Sequence, residues 1–97
     1  MSYLKETSIE KALVQKVKSL DGICIKLTSP SMVGLPDRII LMPKEKIGFV
    51  ELKVKGKKPR AIQLKRINKL RALGFKVFVL DDKKNIEKVI DEIKGGD

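Results

Sequence analysis

Apolar residues recur along the chain with two periods, and each switch of period marks a new element. Ile9, Ala12, Leu13, Val17 and Leu20 fall at helical spacing and predict a helix over 7–20, ended by Asp21-Gly22. Its start, Thr7-Ser-Ile-Glu10, has the form of a capping box, with the Thr hydroxyl and Glu carboxylate closing free amides. Residues 22–27 alternate and predict a strand that places Ile23, Ile25 and Leu27 on one face. Thr28 to Pro36, with Ser, Gly and two Pro, is a loop. Two apolar runs, Ile39–Met42 and Ile47–Val54, flank Pro43-Lys-Glu-Lys46 and predict an antiparallel hairpin. A second helix spans 59–73, with Ile62, Ile67, Leu70 and Leu73 inward and Gly74 as its stop. Phe75–Leu80 is apolar at nearly every position, the pattern of a strand covered on both faces. Asp81-Asp82 turns the chain into a last helix over 83–93, with Ile86, Val89, Ile90 and Ile93 inward, before a frayed tail at 95–97.

The order is therefore αβββαβα. A hairpin followed by a helix and another strand implies a mixed sheet flanked by helices, with a parallel crossover to the last strand. No internal repeat or linker interrupts it, so residues 1–97 are expected to form one α/β domain.

Within the hairpin the apolar pattern is broken by charge. Asp37 opens the first strand, and Glu51 and Lys53 lie in the second. Strand side chains two apart share a face, so Phe49, Glu51 and Lys53 project together while Val50, Leu52 and Val54 take the other side. Asp37 lies near the end of the hairpin, within reach of the Glu51 face. Two carboxylates brought together repel unless something positive lies between them. Hard oxygen donors point to Mg2+ or Mn2+. The competing reading is a solvated face of cross-strand ion pairs.

Composition narrows the chemistry. The chain has no histidine and one cysteine, Cys24, which excludes disulfides, zinc-finger spacing and histidine-based catalysis. No apolar run approaches the ~20 residues that span a bilayer. No signal-peptide core is present, so an intracellular, cytoplasmic setting without a membrane partner is the expectation. Twenty-two Lys and Arg against twelve Asp and Glu leave a net charge of +10. The excess concentrates between Lys44 and Lys76, including Lys55, Lys57, Lys58, Arg60, Lys65 and Arg66, and such clustering suits a nucleic acid. With three Phe, one Tyr and no Trp, contacts to phosphates are favoured over base stacking.

Pro36-Asp37, a gap of thirteen residues and Glu51-Leu-Lys53 resemble the PD-(D/E)xK nuclease signature, whose common core is αβββαβ. Gly34-Leu-Pro-Asp37, Val50-Glu-Leu-Lys53, Gln63 and Leu70-Arg-Ala-Leu-Gly74 look more narrowly like the virus-type replication-repair nuclease (VRR-NUC) family in its stand-alone form. The resemblance implies a restriction-endonuclease-like core with an added C-terminal helix. It implies a Mg2+- or Mn2+-dependent DNA endonuclease in which Asp37 and Glu51 hold the metal, with the Leu52 carbonyl as a further ligand. Lys53 would position or help deprotonate the attacking water and steady the transition state. Glu10 would be the acidic residue, also a metal ligand, that the first helix points at the site, and Gln63 the auxiliary polar residue of the second. The resemblance further implies a homodimer acting on branched or structured DNA, in the manner of Holliday junction resolvases, in a phage setting within the host cytoplasm. The alternative is a basic nucleic-acid-binding module without catalysis.

Overall fold

A computed structural model describes residues 2–95 of the chain. Of the expected tail at 95–97, the last two residues lie outside the described residues. Helix α1 (Ser2–Ser19) leads to β1 (Ile23–Lys26), β2 (Arg38–Met42) and β3 (Lys46–Leu52). Helix α2 (Ala61–Ala72), β4 (Lys76–Leu80), a 3-10 turn at Lys83–Asn85 and α3 (Ile86–Ile93) follow. The strands form one sheet in the order β1-β2-β3-β4, antiparallel except for the parallel pair β3–β4. This is the mixed, helix-flanked α/β architecture that the pattern predicts.

Helix α1 begins at Ser2, so Thr7 lies inside it and the expected capping box does not form. Leu4, Lys5 and Glu6 are good helix formers that carry the helix upstream of Thr7. Ile9, Leu13 and Val17 then bury their stripe against one sheet face, together with Ile40, Met42, Val50, Leu52 and Leu80. Ile86, Val89, Ile90 and Ile93 of α3 complete this cluster. On the other face a smaller cluster joins Phe49, Ile67 and Val77, with Leu27, Ile39 and Leu70 packed around it. Strand β3 is thus buried on both sides, with every residue from Gly48 to Leu52 buried.

Two strand expectations change. Ile23 and Ile25 share a face with Leu27 as predicted, yet they are 59% and 43% exposed. Helix α2 covers only the β3–β4 half of its face, leaving Ile23, Ile25 and Ile47 in solvent. Strand β4, expected to be covered on both faces, lies at the edge of the sheet and leaves Val79 exposed. Leu73, expected inside, is exposed because α2 stops one residue earlier. Gly74, at φ +100°, turns the chain there. Its N–H donates to the Arg71 carbonyl and that of Phe75 to Leu70, the paired bonds of a Schellman motif.

The β2–β3 turn carries strain that the sequence hides. Lys44 and Glu45 take φ of 65° and 63°, a region that favours glycine. Glu45→Gly is expected to stabilise the protein by about 0.5–1 kcal/mol, since relief of the left-handed backbone outweighs the added chain entropy. A thermal melt checks this: Tm should rise by a few degrees, and an unchanged or lower Tm contradicts it.

Candidate active site

The carboxylates singled out in the hairpin meet at one end of the sheet. Asp37 directly precedes β2, whose last ladder pair with β3 is Arg38 with Val50. Beyond that pair the Asp37 side chain acts as the next acceptor, and its Oδ2 takes the Leu52 N–H at 2.8 Å. Its main-chain carbonyl meanwhile accepts the Leu27 N–H at 2.8 Å. Asp37 is thereby clamped from both neighbouring segments.

Glu51 projects on the α2 side of β3 and is 1% exposed. Its Oε2 accepts from Gln63 Nε2 at 2.7 Å and lies 3.3 Å from Lys53 Nζ. Its Oε1 is buried and has no hydrogen-bond partner among the described residues. Such an orphaned atom costs about 1–3 kcal/mol, more for a charged group, so its retention calls for an explanation. Burial, then the nearby Asp37 charge, pushes the Glu51 carboxyl up to about 7, against a smaller opposing effect of Lys53.

Gln63 fixes the geometry. It lies on the first turn of α2, where its Oε1 accepts the Arg60 N–H at 2.8 Å. One amide oxygen is thus committed to closing the helix start, which turns the amide NH2 toward Glu51. The loop before Asp37 is pinned to the same helix. Gly34, at φ +88°, lies so close to α2 that a Cβ there would fall 2.9 Å from both the Ile62 side chain and its carbonyl oxygen. Arg66 Nε donates to the Val33 carbonyl at 2.8 Å, so this residue of the expected DNA-binding set is engaged in tethering the loop.

Asp37, Glu51, Lys53 and Gln63 are brought together; Glu10 is not. Its Oε2 accepts from Arg38 Nε at 2.8 Å, and the Arg38 Nη1 reaches the Cys24 carbonyl at 3.3 Å. Arg38 follows Asp37 directly and its side chain projects to the α1 side of β2, the side of Ile40. A cation at the head of an apolar run, on the inward parity, was the available signal for this pair. Cys24 is half-buried, and burial raises its thiol pKa, so it shows none of the depressed pKa of a reactive cysteine. Of the basic set, Lys55 pairs with Asp82 at 3.2 Å. Lys57, Lys58, Arg60 and Lys65 are exposed and form no ion pair among the described residues.

The donor set fits a hard dication. Among the described residues no group of three or more His, Cys, Asp or Glu is placed to hold a metal. Magnesium keeps several waters and is commonly bound through one or two carboxylates, which the Asp37–Glu51 pair provides. The orphaned Glu51 Oε1 is the atom such an ion would satisfy.

A carboxyl whose folded pKa is raised from 4.5 to about 7 opposes folding in a defined pH window. Below 4.5 both states are protonated and there is no penalty; between 4.5 and 7 the unfolded state loses its proton first and stability falls as pH rises. In metal-free buffer Glu51→Gln should therefore raise Tm at pH 8 and change it little at pH 4. Melts of both proteins at the two pH values check this. Lower stability of the variant at pH 8 would mark Glu51 as a structural ion-pair partner instead.

Comparison with known proteins bears on the same elements. No protein-family model matches the chain. It is 47% identical over 81 residues to "Putative nuclease p44" of Acyrthosiphon pisum secondary endosymbiont phage 1, covering 84% of this chain and 87% of that protein. It is also similar to the solved structure of a VRR-NUC domain, with a TM-score of 0.84 and 32% identity over 90% of this chain and 95% of that one. With the Asp37 clamp, the buried Glu51 and the αβββαβ core in place, the chain belongs to the virus-type replication-repair nuclease family of the PD-(D/E)xK superfamily.

Proposed function

We propose that this nuclease is a Mg2+- or Mn2+-dependent endonuclease that hydrolyses phosphodiester bonds in branched or structured DNA. The observation that carries the reading is the buried Glu51 oxygen left without a partner beside Asp37. Asp37 and Glu51 would hold the ion, with the Leu52 carbonyl as a further donor. A bound divalent ion supplies a polarised phosphate and a water acidic enough to yield hydroxide near neutral pH. The residues of the chain do the rest. Gln63 holds Glu51 in one orientation from a helix start. Lys53, 3.3 Å from Glu51, brings positive charge to where charge develops on the phosphate oxygens. Glu10, committed to Arg38, stands outside this assignment.

The exposed cations Lys57, Lys58, Arg60 and Lys65 lie on the loop and first turns around α2, the helix that carries Gln63. They supply phosphate contacts and binding that weakens steeply with salt. Lys55 joins them once its exposed pair with Asp82 opens, since such pairs are worth little. Arg66 contributes indirectly by tethering the loop. The bare half of the sheet, with Ile23, Ile25 and Ile47 on one face, supports a homodimer. Closed pairing of two such faces would remove apolar area from water.

Wild-type protein should nick supercoiled plasmid and four-way junctions with Mg2+ or Mn2+, while Asp37→Ala and Lys53→Ala lose about 100-fold or more in rate. Calorimetry supplies a readout independent of cleavage: Asp37→Ala and Glu51→Gln should abolish saturable Mn2+ binding. Equal cleavage by all three proteins removes the catalytic reading. DNA binding with neither cleavage nor Mn2+ binding leaves a binding module, which the internal partners of Glu51 would then explain.

Sedimentation tests the pairing of faces. Ile23→Lys/Ile25→Glu should convert a wild-type dimer to monomer without lowering Tm, because neither side chain is buried in the protomer. Wild-type protein that sediments as a monomer at tens of micromolar, within about an order of magnitude of weak association, rules the dimer out.

A further inference from the structure

The loop between β1 and β2 carries an exposed apolar tip that neither core employs. Residues 28–36 contain no charged side chain, in a chain that is 35% charged. At the tip, Met32 is 45% and Val33 65% exposed. Single exposed apolar residues are ordinary on protein surfaces. This pair differs in how firmly it is presented. The loop is closed at its base by the bond from the Leu27 N–H to the Asp37 carbonyl, 2.8 Å long. Gly34 is pressed onto Ile62, and Arg66 holds the Val33 carbonyl at 2.8 Å. The tip is thereby tethered to α2, next to the turn bearing Gln63, and its stem runs directly into Asp37.

We infer that Met32 and Val33 form an apolar wedge that inserts at an unstacked base step of the DNA and so selects distorted over regular duplex. This deepens the nuclease reading above and rests on it for the identity of the substrate. The chemistry suits the role: Met and similar apolar side chains enter base steps, and entry is cheapest where stacking is already lost. An uncharged loop meets no like or opposite charge that would hold it at the phosphates. The hydroxyls of Thr28, Ser29 and Ser31 offer donors to backbone oxygens beside it. Lys65 and the α2 start provide the cations on the flank.

Chain length sets where the wedge acts. Met32 and Asp37 lie five positions apart, at most about 17 Å of extended chain between their Cα atoms. At about 3.4 Å per base step, the wedged step lies within about five steps of the cleaved phosphate. Selection would then be coupled to the cut by the rigid stem rather than by a separate binding domain.

The test places 2-aminopurine at successive steps around the cleavage site of a four-way junction and of a matched linear duplex. Binding is followed in EDTA by anisotropy and base fluorescence. Wild-type protein should raise fluorescence at one or two positions within about five steps of the cut and prefer the junction. Met32→Ser/Val33→Ser should lose the fluorescence rise and reduce the junction-over-duplex preference about tenfold, with Met32→Leu retaining both. Both substituted residues are exposed, and a melt unchanged from wild type confirms that folding is untouched. Wild-type binding without any fluorescence rise, an unchanged preference in the double variant, or loss of self-association in it would each overturn the wedge. Cleavage by a wild type that shows no such signal would sink the wedge alone. Absence of cleavage on any DNA with either metal would sink the nuclease reading, whatever the fluorescence shows.

Discussion

A carboxylate buried near the end of an inner strand is an unfavourable thing to build, and the geometry of this protein follows from how Glu51 is accommodated. Residues 48–52 of β3 are buried on both faces, and Glu51 is only 1% exposed. One of its oxygens is met by Gln63 and Lys53, and the other by no donor among the described residues. Desolvation and the neighbouring Asp37 charge together raise its pKa to about 7. The fold holds it in this state with an amide whose own oxygen is locked at the start of α2. The site is thus pre-positioned, which spares any later ligand the cost of ordering it.

Connectivity makes that arrangement possible. The β2–β3 hairpin puts Asp37 beside Leu52, and the parallel β3–β4 crossover sends α2 over the Glu51 face. One helix therefore both closes the small cluster of Phe49, Ile67 and Val77 and delivers Gln63. Covering only half the sheet is the consequence. A twelve-residue helix on a four-stranded sheet leaves the β1 side bare, and no other element among the described residues lies there. Stability rests instead on the opposite face, where α1 and α3 bury most of the apolar side chains. Core and site are separated by the sheet itself.

The basic residues divide by the same logic. Arg38 and Arg66, whose guanidinium groups can donate to fixed acceptors, are used internally to hold Glu10 and the Val33 carbonyl. The flexible lysines of the 55–58 loop stay in solvent. Charge clustering in the sequence does not separate these roles, because a guanidinium that ties two segments together and one that waits for phosphate look alike in one dimension. The Glu10–Arg38 pair shows the effect most clearly. Glu10 lies on the inward-leaning side of α1, but the cation adjacent to Asp37 reaches it first.

Local periodicity determined the element order, the α1 and α3 stripes and the sharing of one face by Phe49 and Glu51. These depend on side-chain direction every two or 3.6 residues, which the chain carries in itself. The same alternation exposed Asp37 and Glu51 as charges set where apolar residues belong. Tertiary structure alone decided the rest: that β4 is an edge, that Ile23 and Ile25 stay uncovered, that Glu10 answers to Arg38, and that one Glu51 oxygen has no partner. Each of those turns on how far a neighbouring element extends and which distant side chain arrives within about 3 Å. Periodicity states which way a side chain points, but what it meets there is settled only when the layers close.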